Sequence, residues 1–303
     1  MTIVDFPGAA SPDRHHHVAA GGVRIAVHEW GAEEAEPLFL VHGGFDFART
    51  YSGFAPRLAR AGWRVIAWDQ RGHGDSEHTA LYGWEADIRD AMGVMDHFTR
   101  RPVNVIGHSK GGALMINLAD AEPFRFSTLV NLDGMPSKRP MSDQAEHERT
   151  RMVTSEINAW LDHRRSTAGA SRRPGTLDEL ARRRGKMNPR LSFEWLRYLA
   201  SVGAREDADG WRWKLDPTMR PGGFGPWRPE WTATRLPGLG MPFLGILAGQ
   251  EEPMGWNSKP RDVASMMPVR GRLEVMEDTG HFVHIEQPEV VADLVLDFLV
   301  NRR

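Results

Sequence analysis

Cysteine is absent from this 303-residue chain. That removes disulfides, thiolate metal sites, iron–sulfur clusters and a cysteine nucleophile together. It fits a reducing compartment, so a cytoplasmic protein is the expectation. No run of about 18 apolar residues occurs, so no membrane span is expected. The opening stretch MTIVDFPGAASPDRHHH lacks a basic segment followed by a long apolar one, so it does not read as a secretory signal. Charge of one sign is not in excess. Lys and Arg number 38 against 40 Asp and Glu, a net of −2, and the chain lacks the overall basic footprint of nucleic-acid binding. Solenoid-period repeats and low-complexity tracts are also missing. The triplet His15, His16 and His17, near the chain start, reads as a solvated tail rather than a metal site.

What is present supports a sizeable core, with 41% hydrophobic and 26% charged residues. Val23 to Trp30 alternates apolar and polar residues, as in a half-buried strand. Short solid apolar runs follow at 37–41, 65–68, 103–106 and 128–132, as in strands buried on both faces. Helical patterns separate them: 51–60 with Gly62 as a stop, Trp84 to Phe98 with apolar residues at helical spacing, and 113–119. This alternation predicts a doubly wound, mostly parallel α/β sheet with flanking helices.

The alternation breaks at about Pro136 and returns near Pro237, with strands at 242–247 and 272–276 and an amphipathic closing helix over 288–301. The chain therefore divides into a core of residues 1–136 and 237–303 and an inserted helical cap or lid over 137–236. The insertion carries 20 Lys and Arg against 13 Asp and Glu, and the remainder 18 against 27. A basic insertion can guide an anionic substrate, although an arginine-rich solvated helix face gives the same count. Trp160, Trp195, Trp211, Trp213, Met219 and Trp227 supply apolar bulk there, read mainly as insertion core and in part as an apolar pocket.

Gly107-His-Ser-Lys-Gly111 has the pattern G-x-S-x-G. Five residues alone are a weak signal, but this one follows a buried strand and opens a helix, which is the context the chemistry demands. The turn lifts the Ser109 hydroxyl off the sheet edge and points the Lys110 amide, at a helix N-terminus, toward a developing oxyanion. His42-Gly-Gly-Phe45 follows the first buried strand, and the amide of Gly44 is the expected second donor, with Gly43 or Phe45 as alternatives. His42 itself reads as structural. Serine needs a base within hydrogen-bond reach. His281, after the last strand in Asp278-Thr-Gly-His-Phe282, is the expected base, with His284 in reserve. For the carboxylate that orients the imidazole, Glu252 past strand 242–247 is favoured over Asp133 at the end of 128–132, with Glu251 third.

Together, His42-Gly-Gly44, Trp68-Asp-Gln-Arg-Gly-His-Gly-Asp-Ser76, Gly107-His-Ser-Lys-Gly111 and Thr279-Gly-His-Phe282 resemble the α/β-hydrolase superfamily, in its capped branch of esterases and lactonases. The resemblance spans the chain outside the insertion. It implies that Asp69, Arg71 and His73 form a structural turn. It also implies a triad acid after the penultimate strand, where Glu252 stands, or one strand earlier at Asp133. Serine at 109 argues against the epoxide-hydrolase and haloalkane-dehalogenase reactions, which use aspartate. Lys110 departs from the usual apolar residue after the nucleophile. It should pair with Asp133 or Glu251 or meet a substrate carboxylate, and with Phe45 it is a candidate for the substrate pocket.

The expected function is hydrolysis of a carboxylic ester or lactone of a small, largely apolar molecule through an acyl-enzyme. Carbon–carbon or amide hydrolysis with the same three residues is the alternative, and a ligand receptor with little turnover is a reading of another class. No cofactor and no metal are required. The expected partner is a small-molecule substrate, without nucleic acid or a membrane span; a homodimer is compatible with the sequence.

Overall fold

The computed structural model describes residues 3–135, 146–219 and 229–301. Eight strands form one sheet: β1 Arg14–Ala20, β2 Val23–Trp30, β3 Glu36–Val41, β4 Trp63–Trp68, β5 Val103–His108, β6 Phe126–Leu132, β9 Phe243–Ala248 and β10 Gly271–Met276. A separate antiparallel hairpin, β7 Ala204–Asp207 and β8 Gly210–Trp213, lies between β6 and β9 in the chain. The sheet order is β1-β2-β4-β3-β5-β6-β9-β10. Strand β2 is antiparallel to both neighbours and the remaining pairs are parallel.

Successive residues of a strand face opposite sides of the sheet, and here both sides are covered. Leu38 and Leu40 of β3 pack with Leu58, Val291 and Val295 of the helices Ala55–Arg60 and Pro288–Asn301. Phe39 and Val41 pack on the other side with Ala91, Val94 and Leu114, from the helices Trp84–Phe98 and Lys110–Ala121. Double coverage is why these strands read as unbroken apolar runs. The helix expected over 51–60 is two pieces, a 3₁₀ segment Ala48–Gly53 and an α-helix that starts at Ala55 with Pro56 in its first turn.

Two expectations at the N-terminal side are corrected. The histidine triplet is part of β1, paired to β2 in the register His15↔His28, His16↔Val27 and His17↔Ala26. An edge strand is half solvated, so its alternation was hidden by three identical side chains. Strand β2 is buried on both faces from Ile25 onward, not half-buried. Its polar residues are partnered instead: His28 with Asp69 at 3.3 Å and Glu29 with Arg64 at 2.6 Å.

Register aligns the carboxyl ends of the strands, pairing Val41 with Gly107, His108 with Leu132, Leu132 with Ile246 and Ala248 with Met276. Chain order reverses between β3 and β5, which opens a crevice at that edge. Between β6 and β9 come the helices Glu146–Ser166, Leu177–Gly185, Phe193–Gly203 and Pro229–Arg235 and the hairpin β7–β8. Trp195, Leu196, Leu199 and Val202 from this stretch bury themselves against Phe47, which follows β3, and Phe282, which follows β10. The stretch therefore packs on loops at the carboxyl ends of the strands. Asn117 bonds Thr232, fastening the helix Pro229–Arg235 to Lys110–Ala121.

Candidate active site

Ser109 stands between β5 and the helix Lys110–Ala121 with φ 52° and ψ −124°. That conformation costs a non-glycine residue about 1–3 kcal/mol, so surrounding structure must hold it. Its amide donates to Leu132 O at 3.0 Å. Close approach explains the flanking glycines. A Cβ on Gly107 would sit 2.7 Å from Gly112 Cα, and one on Gly111 would strike the carbonyl oxygens of Val41 and His42. The turn is wedged against the end of β3, and only hydrogen side chains fit.

His281 lies in the loop after β10. Its Nε2 is 2.9 Å from Ser109 Oγ, and its Nδ1 is 2.6 Å from Asp133 Oδ2. All three residues are buried. Asp133 ends β6 at φ 45°. Its amide donates to Ile246 O at 2.7 Å, and its Oδ1 accepts the Ala248 amide at 3.0 Å. The carboxylate is thus pinned by β9 and has one oxygen left for the imidazole.

Glu252, favoured from the sequence as the residue that orients His281, does something else. Its Oε2 accepts the main-chain N–H of His281 at 2.7 Å, and the imidazole Nδ1 is taken by Asp133. Strand order supplies the reason. Strand β6 is the direct neighbour of β5, which carries Ser109, whereas β9, which leads to Glu252, is one strand farther out. Burial raises the Glu252 carboxyl above its ordinary range despite the His281 amide. A Cβ on Gly280 would lie 2.5 Å from Glu252 Oε2, so glycine there admits the carboxyl. Glu251 is exposed and pairs with Lys259. His284 is buried with both ring nitrogens unpartnered, stacked near Tyr51 and His108. Desolvation drops its pKa to about 3, so it is a neutral packing residue.

On the opposite side of Ser109, Phe45 has φ 59°, and its amide donates to His73 Nε2 at 3.2 Å. His73 Nδ1 in turn bonds the Arg71 carbonyl at 3.0 Å. The Phe45 N–H is therefore occupied, while the Gly44 N–H has no protein partner among the described residues. The Lys110 amide opens its helix and has no intrahelical acceptor. His42 braces the same loop, with Nδ1 on Gly43 O at 2.7 Å and Nε2 accepting the Gln70 amide at 2.9 Å. Arg71 forms a buried bidentate pair with Asp90 at 2.6 and 2.7 Å. The bracing by His73 and Gln70 could not be read from the sequence, because both partners lie far along the chain.

The Lys110 side chain pairs with neither Asp133 nor Glu251. Its Nζ lies 2.6 Å from Asp87 Oδ2 and 3.0 Å from Gln70 Oε1, and it sits over the Trp84 ring at 5.6 Å. It turns down to the helix Trp84–Phe98, an ion pair that only packing reveals.

Several buried histidines around the site are kept neutral. Desolvation lowers His42 to about 4 and holds His73 and His108 well below the ordinary imidazole range. Among the described residues, one atom each from His15, His28 and Asp75 come within 4.8 Å of one another, as metal ligands would. However, the two rings stack at 4.5 Å and 15°, so their in-plane lone pairs run side by side, and Asp75 holds Lys214 at 2.7 Å. This cluster reads as packing. A cavity of about 480 Å³ borders the site, lined by Phe45, Phe47, Trp213, Met219 and Met254 together with arginines of the β6–β9 stretch. Trp195 is packed against Phe6 in the core, and Trp227 lies outside the described residues.

The chain is similar to several known proteins. The chain is 26% identical over 307 residues to the 2-hydroxymuconate semialdehyde hydrolase of Pseudomonas sp. (strain CF600), covering 96% of this chain and 95% of that one. It is also 26% identical to the sn-1-specific diacylglycerol lipase ABHD11 of Mus musculus, over 86% of this chain and 80% of the lipase. Among solved structures, a thioesterase domain from the curacin biosynthetic pathway superposes with a TM-score of 0.76 at 22% identity, over 93% of this chain and 99% of that one. The carboxylesterase CesB of Bacillus subtilis does so at 0.65 and 17%, over 95% and 92%. At such identities the structural likeness is one of fold. The family model described as "Alpha/beta hydrolase family" matches residues 38–294, from β3 into the closing helix and across every residue of the site just described, and the chain belongs to that family.

Proposed function

We propose that the protein is a serine hydrolase that cleaves a carboxylic ester or lactone of a largely apolar small molecule through an acyl-enzyme. The observation that carries this reading is the unbroken hydrogen-bonded series from Ser109 Oγ through His281 to Asp133. Ser109 Oγ attacks the carbonyl carbon and passes its proton to His281 Nε2. Asp133, pinned by β9, keeps the proton of Nδ1 on the side away from Ser109 and stabilises the imidazolium that forms. The carbonyl oxygen, now an oxyanion, is held by the amides of Gly44 and Lys110, which have no competing acceptor among the described residues. As the tetrahedral species collapses, the carbon–oxygen bond breaks and the alkoxide takes the proton from Nε2. Water then repeats the sequence on the acyl-enzyme and returns the carboxylic acid.

In this reading Glu252 is a positioning residue that fixes the backbone of the His281 loop, and residues 137–236 serve as the cap. The packing of Trp195 and Leu199 on Phe47 and Phe282 supports the second role. The Phe45 N–H is spent on His73, which favours Gly44, with Gly43 as the alternative, as the donor from its loop.

A second reading, hydrolysis of a carbon–carbon bond in a diketone-like substrate, is favoured by the likeness to 2-hydroxymuconate semialdehyde hydrolase over nearly the whole chain. The test uses 4-nitrophenyl esters of graded acyl length against the wild type and Ser109→Ala. Turnover that vanishes in the alanine variant, with an acyl adduct on Ser109 by mass spectrometry, supports ester hydrolysis. A folded wild type that ignores every ester but cleaves a vinylogous diketone supports the second reading.

A further inference from the structure

The cavity beside the site is asymmetric in charge. Four cationic side chains line it, Arg172, Arg183, Arg184 and Lys214, against one carboxyl, Asp46. Two of the cations are already matched: Arg184 pairs with Asp46 at 3.2 Å and Lys214 with Asp75 at 2.7 Å. Among the described residues, the other two donate to carbonyl oxygens. Arg172 donates to Leu215 O at 3.1 Å and Asp216 O at 2.7 Å. Arg183 donates to the carbonyls of Glu179, Arg173 and Pro174. Carbonyls satisfy the N–H groups and fix the guanidinium planes; the nearby carboxylates, Asp216 beside Arg172 and Glu179 beside Arg183, act on these charges without a direct ion pair among the described residues. Burial also pushes the Asp46 carboxyl up to about 6, which weakens the one negative charge on the wall. Nη1 of Arg172 has no protein acceptor among the described residues.

Apart from Asn188, the rest of the lining is apolar and includes Phe45, Phe47, Trp213, Leu215, Met219 and Met254. Two of these tie the cavity to the reacting atoms. Phe45 follows Gly44 in the loop opposite Ser109. Met254 precedes Gly255, which packs against the His281 loop. Partly desolvated cationic side chains in the wall of a largely apolar cavity are costly unless an anion completes them. At about 480 Å³ the space accommodates a small ligand.

We propose that this cavity is a carboxylate subsite, and that the substrate is an apolar molecule bearing a carboxylate remote from the bond that breaks. The proposal rests on the serine-hydrolase reading for its chemistry, but the subsite itself does not. Arg172 and Arg183 supply the charge that pairs with the carboxylate, with Arg172 Nη1, unbonded among the described residues, as the donor. The aromatic and methionine side chains take the intervening chain.

The experiment compares two esters of equal chain length, 4-nitrophenyl hexanoate and mono-4-nitrophenyl adipate, at low and high salt. The wild type should favour the adipate by at least about tenfold in kcat/KM, equivalent to about 1.4 kcal/mol. The preference should reside mainly in KM and shrink with added salt. Arg172→Gln and the Arg172→Gln/Arg183→Gln pair should erase the preference while hexanoate turnover stays within about threefold, which also reports that the variants fold. A wild type that treats both esters alike, or a preference that survives both substitutions, overturns the subsite. In parallel, Ser109→Ala is titrated calorimetrically with 6-phenylhexanoate and with 6-phenylhexanamide. Tighter binding of the acid, without turnover of either ester by the wild type, keeps the subsite and rejects the hydrolase reading. Equal or absent binding of the two, with normal hexanoate turnover, rejects the subsite and keeps the hydrolase.

Discussion

Replacing Asp133 by asparagine tests the site most sharply, because the structure dictates which way the amide must face. Asp133 Oδ1 accepts the Ala248 amide at 3.0 Å, and Oδ2 faces His281 Nδ1 at 2.6 Å. An asparagine keeps its carbonyl oxygen on Ala248, since turning an NH₂ toward that N–H would leave a buried donor unpaired at a cost of about 1–3 kcal/mol. Its NH₂ then meets Nδ1. Nδ1 must become the acceptor, Nε2 carries the proton, and the atom facing Ser109 can no longer take one. The imidazolium also loses its counter-charge. Together these should lower kcat by about 10⁴-fold, or about 5.4 kcal/mol at 1.36 kcal/mol per decade. Glu252→Gln is the companion, since its carbonyl oxygen can still accept the His281 amide, and it should retain at least about a third of wild-type kcat. Both are assayed by 4-nitrophenyl ester turnover and by the rate of fluorophosphonate labelling of Ser109, with circular dichroism confirming the fold. A loss of less than tenfold in Asp133→Asn, paired with a larger loss in Glu252→Gln, would refute the assignment of Asp133 as the orienting acid.

Other outcomes follow from the same contacts. Lys110→Met strands the Asp87 carboxylate, whose side chain is 5% exposed. It should destabilise the protein by about 1–3 kcal/mol, with Lys110→Met/Asp87→Leu recovering most of the loss in denaturant melts; full additivity of the two single changes would count against a real pair. Gly111→Ala drives a methyl into the carbonyls of Val41 and His42. It should cost several kcal/mol or prevent soluble expression, and a variant that melts with wild type would contradict the wedge at the elbow. The Asp46 carboxyl rises from 3.8 to about 6 on folding, chiefly through burial. Its raised pKa means the folded state holds a proton that the unfolded state has released between pH 4 and 6. Stability relative to Asp46→Asn should therefore fall as pH rises through that window, by up to about 3 kcal/mol, and level off above it. A difference that grows with pH in urea titrations would be the wrong sign.

The local elements were largely legible, because each was written in contiguous residues. A strand buried on both faces must be apolar throughout, and a serine on a strained turn needs glycines two positions away on either side. So the parallel strands, the elbow at Ser109 and the histidine loop could be read directly. The edge strand β1 could not, since half its residues face water and His15, His16 and His17 mask the period. Nor could the partners of Lys110, Phe45 and His73, which are chosen by packing between segments tens of residues apart.

The orienting acid marks the same boundary. Asp133 and Glu252 both follow parallel strands, and along the chain nothing separates them. The order of strands in the sheet does. Strand β6 is hydrogen-bonded to β5, which places Asp133 beside the nucleophile's own strand, whereas Glu252 extends from β9, one place farther, and meets the backbone N–H of His281 rather than its imidazole. Residue chemistry along the chain determined that a serine, a histidine and a carboxylate would be available at the carboxyl ends of the strands. Which carboxylate reached the imidazole, and which arginines came to line the cavity, followed from lateral strand order and packing, which a linear sequence does not encode locally.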